Sequence, residues 1–252
     1  MAAKSNPPKY DLNAAGRRRD LFVRIGLTSI VVLFAVALVG YIVISHDKKV
    51  AANGARAIRV TTSKLVVKDG TKDPKALVSF YEDFLCPACG NFERQFGPTV
   101  SKLLDDGAIG ADFYMTGLLS RASNQDYSSR AGNAAYCIAD ESTDAFRRFH
   151  TALYTKDFQP SETGTSFPTD AKLTELAREA GVVGKVPQCI KDGKYLPMVD
   201  GLAAAEGIHG TPTVKINGTE YQWTTPEAFV AKIKEIVGDV PGIDSAATPA
   251  AS

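Results

Sequence analysis

The chain has 252 residues, enough for one large domain with appendages. Its formal net charge is only +1 and it carries no long basic stripe, which argues against a nucleic-acid partner. Its four cysteines are an even number and suit an oxidising compartment if the chain is exported.

Residues 1–24 read as a basic cytoplasmic tail. Lys4, Lys9, Arg17, Arg18 and Arg19 lie among Pro7-Pro8 and Asn13-Ala14-Ala15-Gly16, a composition that argues against stable structure. Residues 25–45 follow, 21 residues without a charge; as a helix they span about 31 Å, close to the hydrocarbon thickness of a bilayer. A core helix is seldom apolar on every face for that length. A cleaved export signal is the rival reading, with Ala55-Arg56-Ala57 a faint cleavage site and Arg18-Arg19 a weak twin-arginine pair, but its apolar region should be shorter. The expectation is therefore one N-terminal transmembrane helix in the lipid bilayer, with Arg24 snorkelling at its start. The cations of the tail favour a cytoplasmic N-terminus and an extracytoplasmic remainder. Residues 46–62, small, polar and weakly periodic, read as a linker.

Residues 63–238 read as an α/β domain. Lys64–Val67 with Lys68-Asp69-Gly70 suggests a short strand and turn, and Lys75–Tyr81 a central strand. Phe84-Leu85-Cys86-Pro87-Ala88-Cys89 comes next, and then Phe92, Phe96, Val100, Leu103 and Leu104 recur at helical spacing as far as Gly107, a C-cap glycine. The two cysteines thus stand where a strand ends and a helix begins. Orphan N–H groups and a partial positive charge collect at such a terminus and stabilise a thiolate. Zinc is the competing reading. It usually needs four ligands, yet Cys137 and Cys189 form no second knuckle and His46, His150 and His209 lack the spacing. No metal and no cofactor is expected. Glu82 and Asp83, just before the pair, are candidate proton acceptors, Asp83 being nearer in sequence; the alternative is a solvated strand end.

Ile109–Met115 reads as the next strand, completing a βαβ unit. Residues 123–205 look helical, over Ser128–Ala139, Thr143–Tyr154, Ala171–Ala180 behind an Asp170 N-cap, Val186–Lys191 and Leu196–Glu206. They form an insertion in the α/β domain. Thr213–Ile216 and Glu220–Trp223 flank Asn217-Gly218, a hairpin signal that outweighs the glycosylation sequon Asn217-Gly218-Thr219. Pro226 opens a last helix with Phe229, Ile233, Ile236 and Val237 on its apolar face. Residues 239–252 read as a disordered tail.

This order, with Gly210-Thr211-Pro212-Thr213 before the hairpin, resembles the thioredoxin fold with the helical insertion of the DsbA family of thiol–disulfide oxidoreductases, and looks closest to membrane-anchored actinobacterial members. The likeness covers roughly residues 60–238. Where well-known members carry Cys-Pro-His-Cys, Ala88 replaces the histidine. The resemblance implies that Cys86 is the attacking sulfur and Cys89 the resolving thiol, with Pro87 and Ala88 setting the loop between them. It implies a cis-proline loop at Thr211-Pro212, whose backbone would pair with an extended substrate segment. It also implies reduced or unfolded exported proteins as partners, and a quinone-linked membrane reoxidant, DsbB-like or vitamin K epoxide reductase-like. Cys137 and Cys189, in separate helical segments, are read as a structural disulfide; a second redox pair and two free thiols are the alternatives. A reductase or isomerase, and a non-catalytic membrane-tethered chaperone or binding module, are the competing functions.

Overall fold

The computed structural model describes residues 56–182 and 184–247. The expected cytoplasmic tail, the expected transmembrane helix over 25–45 and the end of the chain lie outside these residues; among the described residues no helix is long and apolar enough to cross a membrane.

The sheet is organised on β2 (Leu77–Glu82), which pairs in parallel with β3 (Gly110–Met115) and antiparallel with β4 (Thr213–Ile216). β1 (Ile58–Val60) is added antiparallel to β3 and β5 (Thr219–Glu220) antiparallel to β4, so the order is β1-β3-β2-β4-β5. The side chains of Val78 and Phe80 are fully covered, as a central strand requires. Phe80 stacks on its register partner Phe113 at 5.1 Å and meets Phe92 at 6.0 Å, which ties the strand pair to the helix behind it.

That helix, α1 (Pro87–Asp105), connects β2 to β3 and buries Phe92, Phe96, Val100, Leu103 and Leu104. Phe92 and Phe96 stack on each other and take the edge of Trp223. Between β3 and β4 lie α2 (Tyr127–Ala139), α3 (Thr143–Leu153), α4 (Asp170–Glu179), α5 (Val186–Asp192) and α6 (Leu196–Ala205), and α7 (Pro226–Val237) closes the fold. α2 is the hub of the insertion and packs on the other four helices.

Several expectations need correction. The first strand is Ile58–Val60, inside the segment read as a linker, while residues 64–67 make only an isolated bridge, Val67 to Pro74. Three residues are too few for a period-2 pattern to register. Ile58 and Val60 turn inward and the guanidinium of Arg59 grips the Asp112 carboxylate at 2.5 and 2.6 Å. The tail is not loose as far as residue 247: Ile243–Ala247 form a 3₁₀ turn with Ile243 and Ala246 buried, and the Thr99 hydroxyl donates to the Ala246 carbonyl at 2.8 Å. The cap of α4 is Thr169, which accepts from the Lys172 N–H; Asp170 is the first helical residue. The hairpin turns at Asn217 (φ 49°) and Gly218 (φ 84°), the left-handed pair of a type I′ turn, but its second strand ends at Glu220, and Trp223 folds in against α1 instead.

Candidate active site

Cys86 is the N-cap of α1 and Pro87 its first residue, where a missing N–H costs nothing. The chain turns there because Asp83 holds the loop: one carboxylate oxygen accepts from the Leu85 N–H and the other from the Leu119 N–H, both at 2.8 Å. Pro87 and Ala88 are exposed, whereas Cys86 is only 8% exposed and Cys89 fully buried. Both cysteines are free thiols.

The two sulfurs differ in acidity. The Cys86 thiol is pulled down to about 6, above all by a hydrogen bond from the Cys89 thiol. The Thr211 hydroxyl and the N–H groups of Cys89 and Ala88 act in the same sense, and burial opposes them. Cys89 is pushed well above a free thiol, first by burial, then by its bond to Cys86 and by negative charge on Glu82. The peptide bond between Thr211 and Pro212 is cis, and the Thr211 carbonyl lies 3.3 Å from Cys86 Sγ, where it accepts from the neutral thiol. The structure thus brings Cys86, Cys89, Thr211 and Pro212 to one point. Cys137 on α2 and Cys189 on α5 are joined to each other at 1.99 Å, apart from that point.

Glu82 and Asp83 are both buried, not solvated. Burial pushes Asp83 up to about 6 against its backbone hydrogen bonds, and Glu82 up to about 8. Asp83 has both oxygens committed to the loop, so of the two Glu82 is the better placed to exchange a proton. Glu82 Oε2 meets His150 Nε2 at 2.7 Å, and His150 Nδ1 lies 3.7 Å from Glu93. Burial holds the imidazole below its usual range, hence neutral, and drives Glu93 well up.

Sequence reasoning missed three of these side chains. Glu93 stands four residues after Cys89, on the same face of α1. His150 lies on the buried face of α3 with Phe146 and Phe149, which marks a polar group in need of a partner. Gln159 donates from Nε2 to the Cys86 carbonyl at 2.9 Å and is steadied by Arg94. It sits in a Gly-Pro-Ser-Thr-rich loop, and nothing in its local sequence announces it. Gly90 makes room for it, since a Cβ there would fall 1.9 Å from Gln159 Oε1.

Residues 65–235 match the thioredoxin family model, well over half of the chain. The chain belongs to the thioredoxin family. Within this family it is 71% identical to the oxidised DsbA of Mycobacterium tuberculosis, over 76% of this chain and 97% of that one, with a TM-score of 0.75. It is 68% identical to the reduced disulfide bond oxidoreductase DsbG of the same organism, over 82% of this chain and 99% of that one, with a TM-score of 0.77. Over 159 residues it is 28% identical to the serine/threonine-protein kinase PknE of M. tuberculosis, a match that takes in 61% of this chain; it spans 27% of the length of that curated relative. The chain is a DsbA-like thioredoxin of the actinobacterial kind and a protein disulfide oxidoreductase. In this DsbA-like thioredoxin, β2 and α1 deliver the dithiol and the segment before β4 delivers the loop that faces it.

Proposed function

We propose that this oxidoreductase introduces disulfide bonds into exported proteins through Cys86-Pro87-Ala88-Cys89. The observation that carries the reading is the contrast between the two sulfurs: Cys86, at a helix N-terminus and drawn down to about 6, beside Cys89, buried and driven up. A thiol with that value is about nine-tenths ionised at pH 7, so Cys86 is the better nucleophile and the better leaving group. A client thiolate attacks Cys86 of the oxidised pair, and the Cys86–Cys89 bond breaks as the mixed disulfide forms. A second client thiolate then attacks the client's own sulfur in that bond and expels Cys86 as a thiolate. An extended client segment pairs with the backbone at Thr211 by strand addition, beside Cys86.

The same proposal assigns residues 25–45 to a membrane anchor with the domain outside the cytoplasm, which supplies the oxidising surroundings the reaction needs. The anchor raises the effective concentration of a membrane-bound quinone-linked reoxidant, DsbB-like or vitamin K epoxide reductase-like. The test uses two variants, each first treated with oxidised glutathione so that its remaining accessible cysteine carries glutathione as a disulfide, and a reduced client protein whose thiolate can expel that glutathione. Cys89→Ser should accumulate a mixed disulfide through Cys86, and Cys86→Ser should form none. A Cys86→Ser protein that still promoted client folding at the wild-type rate would instead be a binding module or chaperone.

A further inference from the structure

The Cys89 thiol is sealed from solvent, yet each turnover must take a proton from it and return one. While a client covers Cys86, that proton cannot travel by the front of the site. Behind the dithiol lies an unusual cluster: Glu82 from β2, Glu93 from α1 and His150 from α3, with ligand-type atoms all within 4.8 Å of one another. His150 turns a different ring nitrogen to each glutamate, Nε2 to Glu82 and Nδ1 to Glu93. A single metal ion takes one nitrogen of an imidazole, so this arrangement suits a proton handed through the ring and not an ion. One carboxyl oxygen on each glutamate, Oε1, is buried without a partner and free to exchange. Aromatic rings of Phe84, Phe113, Phe146 and Tyr154 pack around the imidazole and hold it between the two glutamates.

The cluster has an outlet. Glu93, whose side chain is 8% exposed, and His150 line a groove of about 740 Å³ between α1 and α3, with Gly97, Ser101 and Thr151 at its wall. Neither the cysteines nor Thr211 and Pro212 border it. At Gly97 a Cβ would come 3.0 Å from Glu93 Oε2, so a side chain there would press on the outlet carboxyl.

We propose that Glu82, His150 and Glu93 form a proton relay from Cys89 to this rear groove, so that the resolving thiol exchanges its proton while a client occupies Cys86. The relay rests on Cys89 being the resolving thiol. When Cys89 resolves a mixed disulfide, its proton passes to Glu82 Oε1 as that carboxyl gives its own proton from Oε2 to His150 Nε2, the Cys86–Cys89 bond forms, and the partner leaves as a thiolate. His150 then passes the proton on its other nitrogen, Nδ1, to Glu93, and Glu93 releases one to water in the groove. In the opposite step, the thiolate released at Cys89 is reprotonated by the reverse path.

Oxidised glutathione is a suitable probe, because its reaction with the reduced full-length protein has two phases. Cys86 attacks and releases one glutathione; Cys89 then resolves the mixed disulfide and releases the second, so two thiols are oxidised and glutathione disulfide is reduced to two thiols. Glu93→Gln and His150→Gln should slow the second phase relative to the first by about tenfold or more. The groups that titrate around Cys89 are Glu82 at the end of β2 and Asp83 just after it, Cys86 at the N-cap of α1 and Glu93 within it, and His150 and Tyr154 from α3 and its end. The second phase of the variants should therefore steepen with pH between 5 and 8, and millimolar imidazole should restore part of the rate. Thr151→Phe, at the groove wall and outside the three relay residues, should narrow the groove and give the same selective loss. A second phase unchanged in all three variants, or both phases slowed alike with no response to imidazole, would overturn the relay. No first phase in the wild-type protein would overturn the dithiol reading beneath it.

Discussion

At the scale of single residues, the chemistry reduces to which sulfur is ionised. Iodoacetamide should alkylate Cys86 of the reduced protein with a midpoint near pH 6, and leave Cys89 unmodified until the protein unfolds. A midpoint above 8 would remove the basis for a reactive dithiol. Gly90→Ala tests how the loop is held: its methyl group would displace Gln159 from the Cys86 carbonyl. The expected cost is about 1 kcal/mol, seen as a lower unfolding midpoint, because a half-buried hydrogen bond is lost. Glu82 acts on stability with the opposite sign to Cys86. Its folded value, about 8, is above its ordinary one, so the neutral carboxyl favours folding and stability is lost as pH rises from about 4.5 to 8. Glu82→Gln, which cannot ionise, should therefore stabilise the reduced protein at pH 8 by on the order of 1–3 kcal/mol, with the gain vanishing below pH 4.5. Equal melting curves at pH 8 would refute that account.

At the scale of elements, the insertion is stapled to itself. Cys137 and Cys189 enclose 52 residues of sequence separation, and removing the bond in a Cys137→Ala/Cys189→Ala protein should cost roughly 4 kcal/mol in urea unfolding while leaving the Cys86 alkylation profile unchanged. A changed profile would mean that the pair communicates with the dithiol. The 3₁₀ turn offers a second test. Deleting residues 241–252 removes buried Ile243 and Ala246 and the acceptor for Thr99, and should lower stability by about 2 kcal/mol. Elements with long periodic faces were legible in the sequence: α1 from Phe92 to Leu104, the five-helix insertion, and the turn at Asn217-Gly218. The short ones were not. β1 has three residues and β5 two, and both exist because a neighbouring strand offers them an edge, which no local pattern records. The dithiol and Thr211-Pro212 were legible as residue types at fixed spacing. Glu93, His150 and Gln159 join the site only through tertiary packing, and Glu82 is the better placed of the two acids to exchange a proton only because the loop consumes both oxygens of Asp83.

At the scale of the whole molecule, the direction of electron flow follows from how strongly the fold favours the reduced pair. A thiolate stabilised to about 6 lies about one unit below the nucleophile of thioredoxin, near 7, and well above that of the strongly oxidising DsbA, near 3.5. One unit stabilises the reduced form at pH 7 by about 1 kcal/mol, equivalent to roughly 20–30 mV. The Cys86/Cys89 couple should therefore lie above about −270 mV and well below about −120 mV, as measured by equilibration with glutathione buffers. Ala88 accounts for the expected mildness, because its side chain is exposed beside Cys86 and adds no donor to the thiolate beyond the backbone N–H. Ala88→His should lower the Cys86 midpoint further and raise the potential by tens of mV, through added positive charge at the helix start. A couple this mild would not drive oxidation far by its own potential. Its direction would be set by how quickly it is reoxidised, which is the role the proposed membrane anchor and quinone-linked partner would serve. A measured potential at or below that of thioredoxin, unmoved by Ala88→His, would instead identify a reductase working from the same fold.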